Sequence, residues 1–177
     1  FHRAETQSLR AALRQMLLDV DWGEVDYLVV DLPRGTGDVQ LSLAQTVPVT
    51  GAVMVTTPQR VALHDVRKGM AMFLRVDVPV LGVVENMAYY LCPHCGQRED
   101  IFDSGGGRRV AEMFDAPFLG EIPLVTKIRQ GGDTGRPVIL AEPEGPVAQA
   151  YREVAERVAQ QVSIQNERRA RSGAPGA

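Results

Sequence analysis

Residues 26–40 read DYLVVDLPRGTGDVQ: a short apolar run, an aspartate where that run ends, and a glycine-containing loop with a second aspartate. Residues 28–30 and Leu32 form the continuous apolar pattern of a strand that is covered on both faces, as in parallel sheets. Asp31 interrupts this pattern. A buried carboxylate is costly unless a cation or hydrogen-bond donors meet it, and ligands of open α/β sheets bind at the carboxyl ends of strands. Asp31 is therefore either a ligand-facing carboxylate or a cap of the following turn.

The composition favours one soluble α/β domain. The chain has 177 residues, of which 45% are hydrophobic, which suits one substantial core and is short for two. A formal net charge of -3 argues against a nucleic-acid-binding surface. The sequence has no stretch that resembles a signal peptide and no apolar run long enough to cross a bilayer. We therefore expect a cytoplasmic protein that binds neither nucleic acid nor membrane.

Apolar periodicity predicts strands that alternate with helices. The predicted strands are residues 28–32, 51–56, 79–84 and 117–122, and the predicted helices are residues 6–21, 39–46, 57–75, 105–114 and 144–161. Such alternation is typical of right-handed crossovers and of a mostly parallel sheet with flanking helices. Residues 124–140 are glycine-rich and are predicted to be irregular, and the tail at 163–177 is predicted to be disordered. The folded domain is expected to span residues 1–162.

Two cysteines lie three positions apart in the motif CPHC at residues 92–95, within a long polar loop predicted for residues 88–104. Cys92 and Cys95 place two soft thiolates on one tight turn, which suits zinc or an iron-sulfur cluster. Such sites use about four protein ligands, so the same loop of a second chain across a two-fold axis is the simplest source of the other two. A redox dithiol and an inert turn remain as alternatives. His94, between the cysteines, is expected to face solvent.

Three consecutive glycines occupy residues 105–107. Glycine-rich segments can cradle a phosphate, but here no strand leads directly into the run and no lysine follows it. The run is therefore predicted to be a flexible hinge at the start of a helix.

Six motifs together resemble one known family. They are DYLVVDLPRGTGDVQLSLAQ at 26–45, VPVTGAVMVTTPQ at 47–59, PVLGVVENM at 79–87, CPHCG at 92–96, LGEIPL at 119–124 and IRQGGDTGRPV at 128–138. In this order and spacing they resemble the Mrp/ApbC family of ATP-dependent iron-sulfur cluster carriers, which are P-loop NTPases related to the MinD and ParA ATPases. The combination of ENM with CPHC is the most specific part of the resemblance. It implies a MinD-like α/β fold.

The resemblance implies a nucleotide site for ATP and Mg²⁺ built from five residues. Asp31 corresponds to the Walker B aspartate that holds Mg²⁺ through water, and carboxylates suit this hard cation. Gly35 begins the part of the loop that senses the γ-phosphate, and Asp38 would support that switch. Asn86 corresponds to the asparagine that hydrogen-bonds the adenine edge, and Pro123 lies in the loop that covers the base.

The resemblance also implies that the protein carries an iron-sulfur cluster. Cys92 and Cys95 correspond to paired ligands that, with two from a partner chain, hold a 4Fe-4S cluster bridged across a homodimer and destined for apo iron-sulfur proteins. Thiolate ligands suit iron. The alternative is a non-catalytic module for metal binding and dimerisation, in which the CPHC loop holds Zn²⁺ or a cluster.

Two departures from the family pattern affect the expected activity. Arg34 stands where the family has a second proline, and we interpret it as a tolerated surface change. The larger departure is that the P-loop pattern G-K-G-G-x-G-K-[ST] does not occur in this sequence. The chain looks like the C-terminal part of a carrier with the N-terminal part of the fold missing. The amides and lysine of the P-loop hold the β and γ phosphates. The chain is therefore expected to bind ATP weakly or not at all and not to hydrolyse it.

Overall fold

The computed structural model describes residues 11–12, 14–32 and 38–173. Helical residues 11–12 and 14–18 form the first helix, α1. The other elements, in chain order, are α2 (Asp38–Thr46), β1 (Ala52–Thr56), α3 (Arg60–Arg75), β2 (Val80–Leu91), β3 (Arg98–Glu99), α4 (Gly106–Met113), β4 (Phe118–Leu124), α5 (Thr126–Thr134), α6 (Val138–Ala141) and α7 (Pro146–Ser172). The described part of the chain contains no helix that is both long and apolar enough to cross a membrane.

The sheet is built around β2, its longest strand. β1 and β4 pair with β2 in parallel on its two sides, so that Glu85 lies opposite both Thr56 and Glu121. β3 pairs antiparallel with the last residues of β2, where Tyr90 lies opposite Glu99. α3 connects β1 to β2, and α4 lies between β2 and β4 in the chain, as the predicted alternation requires. The three parallel strands therefore end at one common edge.

Two hydrophobic clusters cover the two faces of this sheet. Val83 belongs to the cluster under α3 and α4, whereas its neighbour Val84 belongs to the cluster under α7, because successive strand residues point to opposite faces. The larger cluster contains Met54, Leu63, Val66, Met70, Phe73, Val78, Val83, Val110 and Ala111. The smaller cluster joins Val84, Leu119 and Ile122 to Tyr151, Val154 and Val158. The result is a layered α/β architecture with a mostly parallel sheet, which confirms the predicted fold class.

β2 is longer than predicted. It continues beyond residue 84 through the ENM segment to Leu91, and β3 then folds back on it. The predicted polar loop at 88–104 is therefore in part a strand and a hairpin. By contrast, α2, β1, α4 and β4 lie close to their predicted bounds.

The predicted strand at residues 28–32 is wrong. These residues form neither helix nor strand, and the side chain of Val29 is 88% exposed. An apolar run becomes a strand only where a neighbouring strand satisfies its backbone, and none of the described strands pairs with it. The predicted helix at 6–21 is confirmed for residues 11–12 and 14–18, but its apolar Met16 is 58% exposed rather than packed on the sheet.

Two further predictions of irregular structure are wrong. Residues 124–140 contain α5 and α6, because Gly135 adopts a φ of 67° and terminates α5 rather than disrupting it. The tail predicted to be disordered is helical up to Ser172. Near its end the Arg169 guanidinium donates a hydrogen bond of 2.6 Å to the carbonyl oxygen of Val49, which holds α7 against the body of the protein. Residues 174–177 lie outside the described part.

Candidate functional site

Two of the predicted nucleotide-site residues lie on adjacent strands near the carboxyl edge of the sheet. Asn86 on β2 is opposite Ile122 on β4, and Pro123 is the next residue of β4. Asn86 is half-buried, whereas Pro123 is fully buried and lies within β4 rather than in the predicted loop. Ligands of open α/β sheets bind at this edge. Asn86 and Pro123 are 37 residues apart in sequence, and the pairing of β2 with β4 is what brings them together.

The backbone of β2 becomes irregular directly after Asn86. Met87 has a φ of 54°, a left-handed value that is uncommon for a residue other than glycine. The pairing with β4 shifts between Asn86 and Tyr90, and such bulges often re-aim side chains beside functional sites. The Asn86 Oδ1 atom accepts a hydrogen bond of 2.9 Å from the N–H of Met87. This contact orients the carboxamide, so that its nitrogen is the group suited to donate to a ligand.

Asp31, Gly35 and Asp38 are not shown to share this edge. Asp31 is exposed in a segment without regular secondary structure, and Gly35 lies outside the described residues. Asp38 is the first residue of α2, and its side chain is likewise outside the description. Leu32, next to Asp31, packs against the larger hydrophobic cluster, which keeps the end of this segment near the sheet face under α3 and α4. The roles of these three residues stay predictions.

The two cysteines lie on the turn of the hairpin that extends β2. Cys92 directly follows the last residue of β2, and its N–H donates to the carbonyl oxygen of Gln97 at 3.0 Å. The N–H of Gly96 donates back to the carbonyl oxygen of Cys92 at 2.9 Å, with Gly96 in a left-handed conformation at a φ of 70°. Both thiols are free; Cys95 is exposed and Cys92 is half-buried. The hairpin thus presents two thiols on one tight turn.

This turn favours the thiolate form of Cys92. The backbone N–H of His94 contributes most to lowering the pKa of the Cys92 thiol, followed by the N–H and the thiol of Cys95. Partial burial and the charge of Glu99 act in the opposite direction without cancelling the effect. Thiolates are the form that binds metals. His94 itself is exposed, as the sequence predicts.

The turn offers two metal ligands from one chain. Among residues 11–12, 14–32 and 38–173 no group of three or more His, Cys, Asp or Glu side chains is arranged to hold a metal ion. A site with about four protein ligands would need further donors in addition to Cys92 and Cys95.

Arg98 connects this hairpin to the sheet. It lies on β3, its Nη1 atom donates to Glu121 Oε2 on β4 at 3.2 Å, and its Nε atom donates to Asp100 Oδ1 at 3.1 Å. The guanidinium carbon lies 4.0 Å from the centroid of the Tyr89 ring on β2. Because β3 and β4 flank β2 on opposite sides at Tyr90, this side chain spans the face of β2.

A buried carboxylate lies one residue before Asn86. Glu85 is fully buried, and its Oε2 atom accepts a hydrogen bond from the N–H of Gly107 in the first turn of α4, where helix amides favour a negative charge. Its Oε1 atom is also buried and has no hydrogen-bond partner within the described part of the protein. A Cβ atom on Gly107 would lie 2.9 Å from Glu85 Oε2, and one on Gly106 would lie 2.6 Å from Leu63 Cδ1. The predicted hinge at 105–107 is therefore wrong: glycine here permits close packing of α4 on the strand end.

The sequence predictions missed both Glu85 and Arg98. Glu85 had a detectable signal, since it is a charged residue that ends an apolar run in the same way as Asp31. Arg98 had no detectable signal in the sequence, because its partner Glu121 is 23 positions away and approaches only through the pairing of β4 with β2.

Two solved structures show which fold this chain resembles. A nucleotide-binding protein from Archaeoglobus fulgidus in complex with ADP superposes with a TM-score of 0.67 at 39% sequence identity, covering 77% of this chain and 55% of that chain. The cell division ATPase MinD of Pyrococcus furiosus superposes with a TM-score of 0.65 over 85% of this chain and 58% of its own, and at 22% identity it shows the fold alone. These similarities confirm the MinD-like P-loop NTPase fold.

Sequence relatives specify the family. An iron-sulfur cluster carrier protein of Deinococcus radiodurans is 56% identical over 156 residues, which cover 88% of this chain and 44% of that protein. The chain thus spans less than half the length of this curated relative. The family model described as the NUBPL iron-transfer P-loop NTPase matches residues 5–159. The chain belongs to the NUBPL family of iron-transfer P-loop NTPases.

Proposed function

We propose that this chain is an iron-sulfur cluster carrier that holds a 4Fe-4S cluster between two copies of itself and passes it to apo iron-sulfur proteins in the cytoplasm. The observation that carries the proposal is the pair of free thiols, Cys92 and Cys95, presented together on the hairpin turn. The relative from Deinococcus radiodurans, named an iron-sulfur cluster carrier protein, supports the same role.

The chemistry of the two thiols fits this cargo. Iron in 4Fe-4S clusters is bound by four thiolates, and the turn supplies two with the pKa of Cys92 lowered towards the thiolate form. A second chain related by a two-fold axis would present the same pair, because an isologous contact juxtaposes identical surfaces. Two chains would then complete the ligand set. The exposure of Cys95 leaves the turn accessible to such a contact and to a recipient protein.

We further propose that the strand ends form part of an ATP site. Asn86 would donate to the adenine edge and Pro123 would lie beside the base, as their neighbouring positions on β2 and β4 allow. Asp31, Gly35 and Asp38 would serve Mg²⁺ and the γ-phosphate, by resemblance. The ADP complex of the Archaeoglobus fulgidus protein supports nucleotide binding in this fold. Because the 177-residue sequence contains no P-loop motif, this chain by itself would bind ATP weakly or not at all and would not turn it over.

Anaerobic reconstitution with iron and sulfide tests the carrier role. The chain should develop a broad visible absorption band, bind about two iron atoms per chain and double in mass on size exclusion. The changes Cys92→Ser and Cys95→Ser should each abolish these properties, whereas His94→Ala, a change between the two ligands, should retain them. A colourless chain that binds zinc instead of a cluster would contradict the proposal and favour a metal-binding and dimerisation module.

A further inference from the structure

We propose that Arg98 is the positioning residue of the dithiol turn, which is the hairpin turn that carries Cys92 and Cys95. Arg98 sets the direction in which this turn projects from the sheet. This inference rests on the proposed carrier function and adds a residue outside the thiol pair. Arg98 lies three positions after Cys95, so any change in its attachment is transmitted to the turn through a very short segment of chain.

The hairpin has few other attachments. β3 contains two residues, both exposed, which pair with Tyr90 and Leu91. Two further backbone hydrogen bonds close the turn, from the N–H of Cys92 to the carbonyl oxygen of Gln97 and from the N–H of Gly96 to the carbonyl oxygen of Cys92. A short two-stranded hairpin of this kind is marginal in water without packing against other elements.

The Arg98 side chain supplies such packing. Its guanidinium contacts three groups: the Glu121 carboxylate on β4, the Asp100 carboxylate beyond β3, and the ring of Tyr89 on β2. Arginine is suited to this place because its planar group can donate from separate nitrogens and stack on a ring at the same time. A lysine, with one compact charge, would keep part of the attraction but lose the geometry.

The direction of the turn matters for a cluster shared between two chains. In a two-fold dimer, a change in the orientation of the turn occurs in both chains. The resulting misalignment between the two pairs of thiols is therefore twice the change in one chain. Groups that orient metal ligands without touching the metal commonly affect metal affinity 10–100-fold. Arg98 would act on cluster retention in this way, through Glu121 rather than through the iron.

Three variants of the chain test the role of Arg98. Arg98→Met keeps the aliphatic stem and removes every donor, and Arg98→Lys keeps the charge. Arg171→Met removes an exposed arginine with one ion pair at 3.9 Å, at the far end of α7, as a distant control for the loss of an arginine. In the metal-free chain, the amides of Cys92 and Gly96 should exchange with deuterium roughly tenfold faster in Arg98→Met than in the parent. The exchange rates of these amides in Arg171→Met should equal those of the parent. In Arg98→Lys the rates should lie between those of the parent and those of Arg98→Met.

Cluster release gives the readout that a purely structural role would not change. After reconstitution, Arg98→Met should lose iron to a chelator roughly 10–100-fold faster than the parent. The melting temperature of the chain should be the same in Arg98→Met and in the parent. Arg98→Met combined with Glu121→Gln should have a smaller effect than the sum of the two single changes, because both remove the contact between Arg98 and Glu121; the contacts of Arg98 to Asp100 and Tyr89 are lost only with Arg98.

The outcomes separate this inference from the carrier proposal. Unchanged hairpin exchange in Arg98→Met, or an unchanged rate of iron release, overturns the role of Arg98 even if the parent chain carries a cluster. Fully additive effects of Arg98→Met and Glu121→Gln also overturn it. If the parent takes up no cluster while the Arg98→Met hairpin exchanges faster, the carrier proposal fails and Arg98 still stands as the residue that orients the dithiol turn.

Discussion

The change Gly107→Ala tests the packing of α4 against the strand end that carries Asn86. The added Cβ atom would lie 2.9 Å from Glu85 Oε2, 3.1 Å from Glu85 Cβ and 3.3 Å from Thr56 Cγ2. Glu85 and Thr56 are both buried, so neither can swing into solvent. Overpacking of this kind costs about 1–3 kcal/mol, which exceeds the gain of about 0.5–1 kcal/mol from replacing glycine by alanine in a helix.

Thermal unfolding followed by circular dichroism measures this cost. After the helix gain is subtracted, a net cost of roughly 0.5–2 kcal/mol remains, and for a chain of this size each kcal/mol shifts the melting temperature by about 2–4 °C. Gly107→Ala should therefore melt roughly 1–8 °C below the parent. Gly132→Ala in α5 is the matched control, because nothing lies within 4 Å of the position that its Cβ would occupy. It should melt at or above the temperature of the parent.

A double variant locates the source of the effect. In a Glu85→Ala background the carboxylate is gone, so Gly107→Ala should cost clearly less than it does in the parent. A melting temperature of Gly107→Ala equal to or above that of the parent would refute the packing argument. So would an undiminished cost in the Glu85→Ala background.

Three further predictions concern the core, the last helix and one partly buried phenol. Leu119→Ala, at 1% exposure, should lower the free energy of unfolding in urea by about 2–5 kcal/mol, whereas Val29→Ala, at 88% exposure, should change it by less than about 0.5 kcal/mol. Arg169→Met removes the donor to Val49 and should speed hydrogen exchange in the last turns of α7 while costing about 1.5 kcal/mol; unchanged exchange there would contradict the contact. Burial raises the pKa of Tyr151, so the folded chain holds the phenolic proton more tightly than the unfolded chain. That stabilisation is complete below the unfolded pKa of about 10 and is lost as pH rises through the folded pKa, so Tyr151→Phe should remove part of the fall in unfolding free energy above about pH 10.

The sequence was sufficient where local pattern and tertiary packing agree. β1 and α3 were predicted because the apolar pattern that indicates them is the same property that places Met54 and Met70 in one cluster. The paired thiols at Cys92 and Cys95 were recognisable because both ligands of the turn lie within four consecutive residues. The α/β class followed from the alternation of strands and helices, and the MinD-like fold followed from the resemblance of the six motifs.

The sequence was insufficient where a strand or helix depends on contacts with residues far away in the chain. The run at 28–30 has the composition of a buried strand, but strand formation also needs a neighbour to accept its backbone hydrogen bonds, and sequence pattern does not report whether one is present. The same limit applies to the tail, where a contact from Arg169 to Val49, 120 positions earlier, holds the end of α7 in place. Contacts of this range are invisible to periodicity.

The larger consequence concerns the relation between the two candidate sites. A polar loop from residue 88 onward would have separated Asn86 from the cysteines by flexible chain, but β2 continues to Leu91 and passes directly into Cys92. The strand is held near its nucleotide end by the contact of Glu85 with Gly107, and near its thiol end by the contact of Arg98 with Glu121. Since Glu121 lies two residues before Pro123 on β4, the contact of Arg98 with Glu121 joins the strand that carries this predicted nucleotide residue to the segment that carries the thiols. A displacement of β4 relative to β2 would therefore reach the dithiol turn through the Arg98 side chain as well as through the backbone pairing of β4 with β2, which extends to Tyr90 and Leu124.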